Sequence, residues 1–292
     1  MDIKEKGAHY IASLGQRAIL YEVSTTPKPG LVDRENSGSH KDMDFFTFMA
    51  SSSALYKGIY ECALAGMNFK EVDKTKLLDR IRRPGIQCEE AMFKATNGVN
   101  THKGIIFSIG ILSAVTGYLY MKSNKFKFNI DEVCDEVKEV CKDLAYKDFQ
   151  HIPKKEKLTH GEWLFKEYGY KGIRGEVESG FNTVRNIAIP ILTKWSNNKD
   201  LSMNDLFLQM LMSIMTQSED TNVVMRGGVD SLQYVKEVSK EFLTQGGIYN
   251  KDAKEKLEEI NEAFVAKNIS PGGAADLLAV GIFLGLLQGI IQ

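Results

Sequence analysis

The 292-residue chain carries 37 lysines and arginines against 38 aspartates and glutamates, and 43% of its residues are hydrophobic. This length allows one large domain or two ordinary ones with a substantial core, and the near-zero net charge gives no overall field that would favour nucleic acid or an anionic membrane. The four cysteines lack CxxC and CxxH spacing, which argues against a zinc site and a secreted disulfide framework. The charged N-terminus lacks the apolar segment of a signal peptide, so we expect a cytoplasmic protein.

Hydrophobic residues recur at the helical period in almost every long segment, whereas the alternation typical of strands is scarce. The pattern predicts one all-α domain over residues 1–292, a bundle of about ten to twelve helices with apolar helices at its centre. It contains no internal repeat or long linker. The predicted helices span residues 4–23, 43–65, 73–82, 86–97, 102–121, 130–147, 160–168, 181–197, 202–218, 229–245, 251–267 and 271–290.

Local signals mark some of the boundaries. Residues 148–159 are predicted to form a surface loop, and Pro190 should kink or divide the helix over 181–197. Ser270 is a good N-cap, and the Pro271 that follows it suits a first helical position because its missing N–H needs no partner there.

Two segments, 104–121 and 274–292, are apolar enough to resemble membrane spans, although both are near the lower length limit. Each contains glycine, serine or threonine and follows a polar cluster, "NTHK" or "SPGG". A helix that is apolar all round is also what the centre of a large helical protein requires. We therefore predict buried core helices.

Five polar clusters interrupt the hydrophobic pattern, each just before or within the first turn of a predicted helix. They are "KPGLVDRENSGSHKDMD" (28–44), "GVNTHKG" (98–104), "RGEVESG" (174–180), "EDTNVVMRGG" (219–228) and "SPGGAAD" (270–276). A helix start offers unpaired N–H groups and the positive end of the macrodipole, and glycine lets an anion approach that backbone. Cations mixed with carboxylates at such positions suit a magnesium–polyphosphate ligand. The sequence contains no GxxxxGK[ST] motif, so a P-loop is excluded.

Each cluster taken alone has an ordinary structural explanation as a helix cap or a turn. A single histidine such as His40 or His102 is more often a hydrogen-bonded structural residue than a catalyst. Five capping segments of similar composition are not explained in this way, and their shared make-up favours one common site.

Together the clusters resemble triphosphoribosyl-dephospho-CoA synthases. The matching motifs are "PKPGLVDRENSGSHKDMD", "GVNTHKGIIFSIG", "RGEVESGF", "DTNVVMRGG" and "SPGGAADLL", which occur in the family's order from Pro27 to Leu278. The resemblance implies an all-helical enzyme that joins ATP to 3′-dephospho-CoA and releases adenine. The product, 2′-(5″-triphosphoribosyl)-3′-dephospho-CoA, would pass to a holo-acyl-carrier-protein transferase as precursor of the citrate lyase prosthetic group.

The expected substrate-binding residues come from all five clusters, with the cations on the phosphates of both substrates. They are Lys28, Gly30, Arg34, Asn36, Asn100, Thr101, Lys103, Gly104, Arg174, Gly175, Asn222, Arg226, Gly227, Gly228, Ser270, Gly272 and Gly273. Mg²⁺ is the expected cofactor, held with ATP by Asp220 and by Asp33 or Asp42.

The implied reaction is a substitution at a ribosyl carbon, which has an oxocarbenium-like transition state. The resemblance implies an α-linked product from a β-nucleoside, and this inversion indicates a single displacement in which one base activates the 2′-hydroxyl of dephospho-CoA. Glu176 is the first candidate for that base and Asp276 the second. His102 or His40 could protonate the departing adenine, with Asn36, Asn100 or Asn222 as neutral alternatives.

Other functions fit parts of the same pattern. The same reaction could serve malonate decarboxylase, and a helical magnesium-dependent hydrolase of a nucleotide or ADP-ribose would need similar clusters. A non-catalytic helical scaffold is the remaining alternative.

Overall fold

The structure is a computed structural model that describes residues 2–123, 126–150 and 158–292, without the side chain of His160. Within these residues it contains helices and no strands, so the all-α prediction is confirmed. A π-helical turn, Val184–Ala188, precedes α9, and a 3₁₀ turn, Gly247–Tyr249, precedes α12. The α-helices are α1 (Ile3–Ser24), α2 (Phe45–Asn68), α3 (Lys76–Ala95), α4 (Lys103–Ser123), α5 (Ile130–Val140), α6 (Leu144–Phe149), α7 (His160–Tyr168), α8 (Ile173–Glu178), α9 (Ile189–Asn198), α10 (Met203–Met215), α11 (Thr221–Thr244), α12 (Ala253–Ala266) and α13 (Gly272–Gln288).

The two apolar helices lie at the centre of the bundle. Helix α4 packs against α1, α2 and α3, and α13 packs against α1, α4 and α10. Helix α4 is long and apolar enough to cross a membrane by composition, but 78% of its apolar window is buried inside the fold. Both helices are therefore core helices of the bundle, as the sequence predicts, and their N-terminal ends lie at one side of it.

The four cysteines are all free and buried. Burial raises the pKa of Cys134 and of Cys141 to about 12. Both thiols face the interior from the region of α5, where they act as small apolar side chains.

Three helix boundaries differ from the predicted ones. The predicted helices 73–82 and 86–97 form one helix, α3, although Pro84 lies inside it. Its buried face, which includes Ile81 and Cys88, continues across the proline, so packing outweighs the lost hydrogen bond. The predicted helix 130–147 is divided into α5 and α6, because Asp143 adopts a left-handed conformation with φ 59°.

Helix α11 begins at Thr221, eight residues before the predicted start of 229. The reason is that Gly228, which the sequence places before the helix, is a break within it, with φ 78° and ψ −179°. The segment over 181–197, where Pro190 is expected to kink or divide the helix, changes from a π-helical turn to α9 at Ile189 without a break in the helix. Pro190 lies in the first turn of α9.

Part of the predicted loop, residues 151–157, lies outside the described residues.

Candidate active site

A cavity of about 1940 Å³ opens where the N-terminal ends of α4, α8, α11 and α13 meet the segment between α1 and α2. Residues from all five polar clusters line it. Its volume exceeds the roughly 300–1,000 Å³ of a pocket for one drug-sized ligand, so it has room for two substrates. The candidate residues that line it are Lys28, His40, Asp42, Asn100, Thr101, Lys103, Gly104, Arg174, Gly175, Glu176, Asp220, Asn222, Arg226, Ser270, Gly272, Gly273 and Asp276.

The remaining candidates do not line the cavity. They are Gly30, Asp33, Arg34, Asn36, His102, Gly227 and Gly228.

Asp33 organises the loop between α1 and α2. Its carboxylate accepts backbone hydrogen bonds from Lys28, Glu35 and Asn36, at 2.8–3.0 Å, and the residue is 1% exposed. These bonds engage both oxygens and give Asp33 a structural role, and Asp33 does not line the cavity. Its expected role as a metal ligand stays a prediction that this geometry does not favour. Arg34 is exposed and does not line the cavity, so its expected contact with phosphate stays a prediction that the geometry does not favour.

The glycines and the asparagine of this loop also serve its structure. The N–H of Gly30 donates to Asn261 Oδ1 at 2.9 Å, and Asn36 Oδ1 accepts from the N–H of Gly38 at 2.8 Å. Gly228 is the break within α11, and neither it nor Gly227 lines the cavity.

Lys28 and Glu22 form a buried ion pair in the cavity wall. The Lys28 ammonium donates to the Glu22 carboxylate and, at 2.9 Å, to the Glu22 carbonyl oxygen, and both side chains are at most 3% exposed. Burial raises the pKa of Glu22, and the Lys28 ammonium opposes that rise. A phosphate could bind Lys28 only in competition with Glu22.

Asp220 joins the starts of two helices. Its Oδ1 accepts from the N–H groups of Asn222 and Val223 at 3.0 and 3.3 Å, and its Oδ2 accepts from the N–H of Ala274 at 2.9 Å. Burial raises the pKa of Asp220 to about 6, although its bonds to the backbone of Ala274 and of other residues oppose the rise. Because the carboxylate already holds the starts of α11 and α13, a metal ion would have to share Asp220 with these bonds. The expected role of Asp220 as a metal ligand stays a prediction.

Asp276, one turn into α13, lines the cavity beside Gly104 at the start of α4. A Cβ atom on Gly104 would come within 1.9 Å of Asp276 Oδ2, so only glycine at position 104 leaves room for this carboxylate. Burial raises the pKa of Asp276 well above its usual range, and the nearby carboxylates of Asp220 and Glu22 raise it further. Among the described residues the carboxylate has no hydrogen-bond partner. The Asp276 side chain is therefore partly exposed and free of hydrogen bonds to the described residues, at the point where α4 and α13 meet.

Glu176 lies at the other side of the cavity, on α8, which the sequence does not predict as a helix. Its carboxylate accepts from both the hydroxyl and the N–H of Thr183. Burial raises the pKa of Glu176 despite these bonds, and Glu219 contributes in the same direction. Glu176 is available to the cavity but is held in place by Thr183.

His40 and Arg226 connect the loop between α1 and α2 to the start of α13. His40 Nε2 lies 2.8 Å from Ser270 Oγ, and Arg226 donates to the carbonyl oxygens of Ser39 and Asn268. Burial lowers the pKa of His40, and the Arg226 guanidinium lowers it further. This places a largely neutral imidazole in the cavity wall near neutral pH.

Lys103 and Arg174 lie at the rim of the cavity. Lys103 pairs with Glu89 of α3, and Arg174 donates to Asp148 Oδ2 at 2.7 Å. Both side chains are more than a third exposed, so these pairs contribute little to stability and can open to admit a phosphate.

His102 is fully buried outside the cavity. Its Nδ1 lies 2.7 Å from Ser51 Oγ, and among the described residues its Nε2 has no hydrogen-bond partner. Burial lowers the pKa of His102 to about 3, with a further contribution from Lys28. This imidazole is neutral and does not line the cavity, so the geometry favours His40 over His102 as the group that protonates adenine.

His102→Gln is expected to flatten the pH dependence of stability between about pH 6 and pH 4. Because the pKa of His102 lies near 3 in the folded protein and near 6.5 in the unfolded chain, only the unfolded chain binds the proton in this window. The unfolding free energy should therefore fall by up to about 1.4 kcal/mol for each unit of decreasing pH through this group alone. Urea denaturation at several pH values measures the slope. The exposed His9→Gln variant is the control, and equal slopes in wild type and His102→Gln would contradict the assignment.

Sequence reasoning missed several groups that line the cavity. One of them, Glu22, could have been identified from the sequence, because it is a charged residue on the apolar face of α1 beside Ile19 and Val23. Arg82 and Glu89 become visible as site residues only once α3 is placed beside α4. The missed residues are Glu22, Lys41, Arg82, Glu89, Asp148, Lys171, Thr183 and Glu219.

A helical bundle whose cavity is lined by lysines, arginines and partly buried carboxylates at helix starts is typical of an enzyme for phosphorylated substrates. The CitG family model, described as ATP:dephospho-CoA triphosphoribosyl transferase, matches residues 8–292. The chain belongs to this family, so the resemblance of the five motifs is confirmed.

Curated relatives support the same grouping. The 2-(5″-triphosphoribosyl)-3′-dephosphocoenzyme-A synthase of Escherichia fergusonii is 40% identical over 275 residues, covering 94% of this chain and 89% of that protein. The protein of the same name from Klebsiella pneumoniae is 39% identical over 282 residues, covering 97% and 92%. No solved structure matches this chain.

Proposed function

We propose that this cavity joins ATP to 3′-dephospho-CoA, giving 2′-(5″-triphosphoribosyl)-3′-dephospho-CoA and adenine. Family membership supports the reaction. The location of the reaction in this cavity is supported by its lining, because residues from all five polar clusters contribute to it. The cavity is also large enough for two nucleotides. The alternative of a nucleotide hydrolase has no comparable support.

In the proposed step the 2′-hydroxyl oxygen of dephospho-CoA bonds to C1″ of the ATP ribose while the bond from C1″ to adenine N9 breaks. A base takes the hydroxyl proton, adenine leaves with the bonding electrons and is protonated, and the triphosphate stays intact. The protein must therefore bind the phosphates without activating them for cleavage, unlike a kinase or an ATPase.

The geometry favours Asp276 over Glu176 as the base, which reverses the order expected from the sequence. Asp276 has no hydrogen-bond partner among the described residues, whereas Glu176 accepts two bonds from Thr183. A carboxylate with a raised pKa is also a better proton acceptor near neutral pH. Glu176 then stands as the carboxylate that stabilises positive charge on the ribosyl carbon.

Adenine needs a hydrogen-bond donor as it leaves. With His102 outside the cavity, His40 and the amides of Asn100 and Asn222 are the candidates that remain in its wall. The imidazole of His40 is positioned by Ser270, which fixes one ring nitrogen and leaves Nδ1 directed towards Asp42 at 3.8 Å.

We also propose that Mg²⁺ binds together with ATP as its counter-ion. Among the described residues no group of three His, Cys, Asp or Glu side chains is placed to hold a metal ion. Of the three expected ligands, only Asp42 is free of backbone bonds, with its side chain 64% exposed at the cavity. Mg²⁺ that arrives with the triphosphate needs only one or two carboxylates and water from the protein, which Asp42 fits. Bound there, the ion would neutralise triphosphate charge.

The cellular setting is part of the same proposal. The enzyme would work in the cytoplasm, where both substrates are available, and a holo-acyl-carrier-protein transferase would consume its product. Citrate lyase is the proposed client, and malonate decarboxylase is the alternative.

Incubation with ATP, with and without dephospho-CoA, tests the reaction by chromatography and mass spectrometry. We expect adenine release only when the acceptor is present, together with a product that retains all three phosphates. Release of inorganic phosphate, or adenine release without acceptor, would instead indicate hydrolysis and overturn the proposal.

Lys103→Ala is expected to raise the KM for ATP or for dephospho-CoA by about 10–100-fold, the effect of losing a charged hydrogen bond to phosphate. Its kcat and thermal stability should change little, because Lys103 makes only an exposed ion pair with Glu89. Steady-state kinetics and thermal denaturation measure both. Arg80→Ala is the matched control. Arg80 lies on α3 outside the cavity and forms a similar exposed pair with Glu71. Unchanged KM values for both substrates would remove Lys103 from the phosphate site.

A further inference from the structure

Helices α3 and α4 each turn an apolar face towards the same part of the cavity. The cavity-lining residues on α3 are spaced three or four apart, which places them on one side of that helix. We call the space between the two helices the α3–α4 crevice. Its apolar lining residues are Leu78, Ile81, Gly85, Ile86, Ile106, Gly110 and Ile111.

The crevice extends towards α2. A small void of about 10 Å³ behind it shares Cys62, Gly85, Ile105, Ile106 and Gly110 with the cavity. The described side chains around this void are only isoleucine, leucine, glycine and cysteine. Its inner end therefore offers no charge and no strong hydrogen-bonding side chain to a ligand.

The mouth of the crevice is charged. Arg82 on α3 and Lys103 on α4 line the cavity there, and Lys103 pairs with Glu89 of α3. Arg82 is exposed and has no ion-pair partner among the described residues. A ligand suited to this place has a phosphate at the mouth and an uncharged chain that runs inwards.

We propose that the α3–α4 crevice binds the pantetheine arm of 3′-dephospho-CoA, with the diphosphate of that substrate at Arg82 and Lys103. This inference rests on the proposed function. The pantetheine arm is the one long, uncharged and partly aliphatic segment in the two substrates. Adenine needs polar partners at its edge and the triphosphate needs cations, and the inner crevice provides neither. The sequence motifs give no hint of this subsite, because α3 carries none of the five clusters.

Gly85→Leu tests the proposal by filling the crevice. A Cβ atom at Gly85 would meet no atom within 4 Å, so the position is open and the helix can accept a side chain there. Isothermal titration calorimetry compares dephospho-CoA with ADP, which has the same adenosine diphosphate but no arm. In the wild type we expect dephospho-CoA to bind at least tenfold more tightly, since each buried methylene group contributes about fourfold. In Gly85→Leu the two affinities should differ by less than about threefold, while the affinity for ATP is retained.

Two further variants complete the design. Ile86→Ala removes apolar contact at the mouth without filling the crevice, and it should weaken dephospho-CoA binding by about fourfold or more without affecting ADP. Val72→Ala changes a fully exposed residue outside the cavity and should change neither affinity.

The outcomes separate this subsite from the reaction itself. An unchanged preference for dephospho-CoA in Gly85→Leu, or a selective loss of ATP or ADP binding, would overturn the subsite. Failure of the wild type to release adenine with dephospho-CoA would overturn the proposed function, while the calorimetric comparison would still show whether the arm is bound.

Discussion

Asp276→Asn is expected to lower kcat by about 10²–10⁴-fold, the usual cost of removing a general base. Substrate affinities should be largely retained, because asparagine has the same shape and the phosphates are bound by cations elsewhere in the cavity. The wild-type kcat should rise with pH as Asp276 loses its proton, and this rise should be absent from the variant. Rapid-quench or steady-state measurement of adenine release across a pH series provides both results.

The same substitution should increase stability at neutral pH. The pKa of Asp276 is raised in the folded protein, so the folded state binds the proton more tightly than the unfolded chain does. Ionisation above the unfolded pKa therefore costs folding free energy, and the neutral asparagine avoids that cost. If Asp276 were needed only for structure, its replacement would reduce both the activity and the stability of the protein. Glu176→Gln is the matched comparison, and a larger loss of kcat there than in Asp276→Asn would restore Glu176 as the base.

Asp220→Ala is expected to reduce the unfolding free energy by about 2–4 kcal/mol, roughly twice the cost of losing one N-cap. The carboxylate caps α11 through Asn222 and Val223 and also accepts from Ala274 at the start of α13. Its removal leaves these buried N–H groups without partners, and each such loss is costly. Urea denaturation monitored by circular dichroism at about pH 4 measures the change, because at neutral pH the raised pKa of Asp220 makes its ionisation costly and offsets part of the loss.

Asn129→Ala is the control for Asp220→Ala, because Asn129 is an exposed N-cap that serves α5 alone. It should cost about 1 kcal/mol. Similar losses in the two variants would contradict the role of Asp220 in joining two helices.

The sequence predicted the helical class and the two central helices because those features follow from short-range periodicity. It placed the start of α11 wrongly because a glycine pair suits a helix end as well as a break within a helix, and only packing distinguishes the two. It divided α3 at Pro84 because the loss of one hydrogen bond is visible in the sequence, whereas the continuous buried face of Ile81 and Cys88 depends on neighbouring helices.

The candidate site was partly predictable for the same reason. Residues at helix starts, such as Lys103 and Asp276, are marked locally by glycine and by capping residues. The local sequence does not show whether a carboxylate faces a ligand or the protein backbone. Asp33 and Asp220 were therefore predicted to bind metal, although both accept hydrogen bonds from backbone N–H groups. His102 looked catalytic because the sequence does not show how deeply it is buried.

The cavity wall combines Glu22 near the end of α1 with Asp276 in α13, two positions separated by most of the chain. A fragment that lacks α1 or α13 cannot offer a nucleotide the complete set of contacts. Nucleotide binding and global folding are therefore thermodynamically coupled. A substrate at about one hundred times its Kd would add roughly 2.7 kcal/mol to the folding free energy. In a cell short of nucleotide, the idle enzyme would open more often and be degraded sooner, so that its lifetime follows the supply of its own substrates.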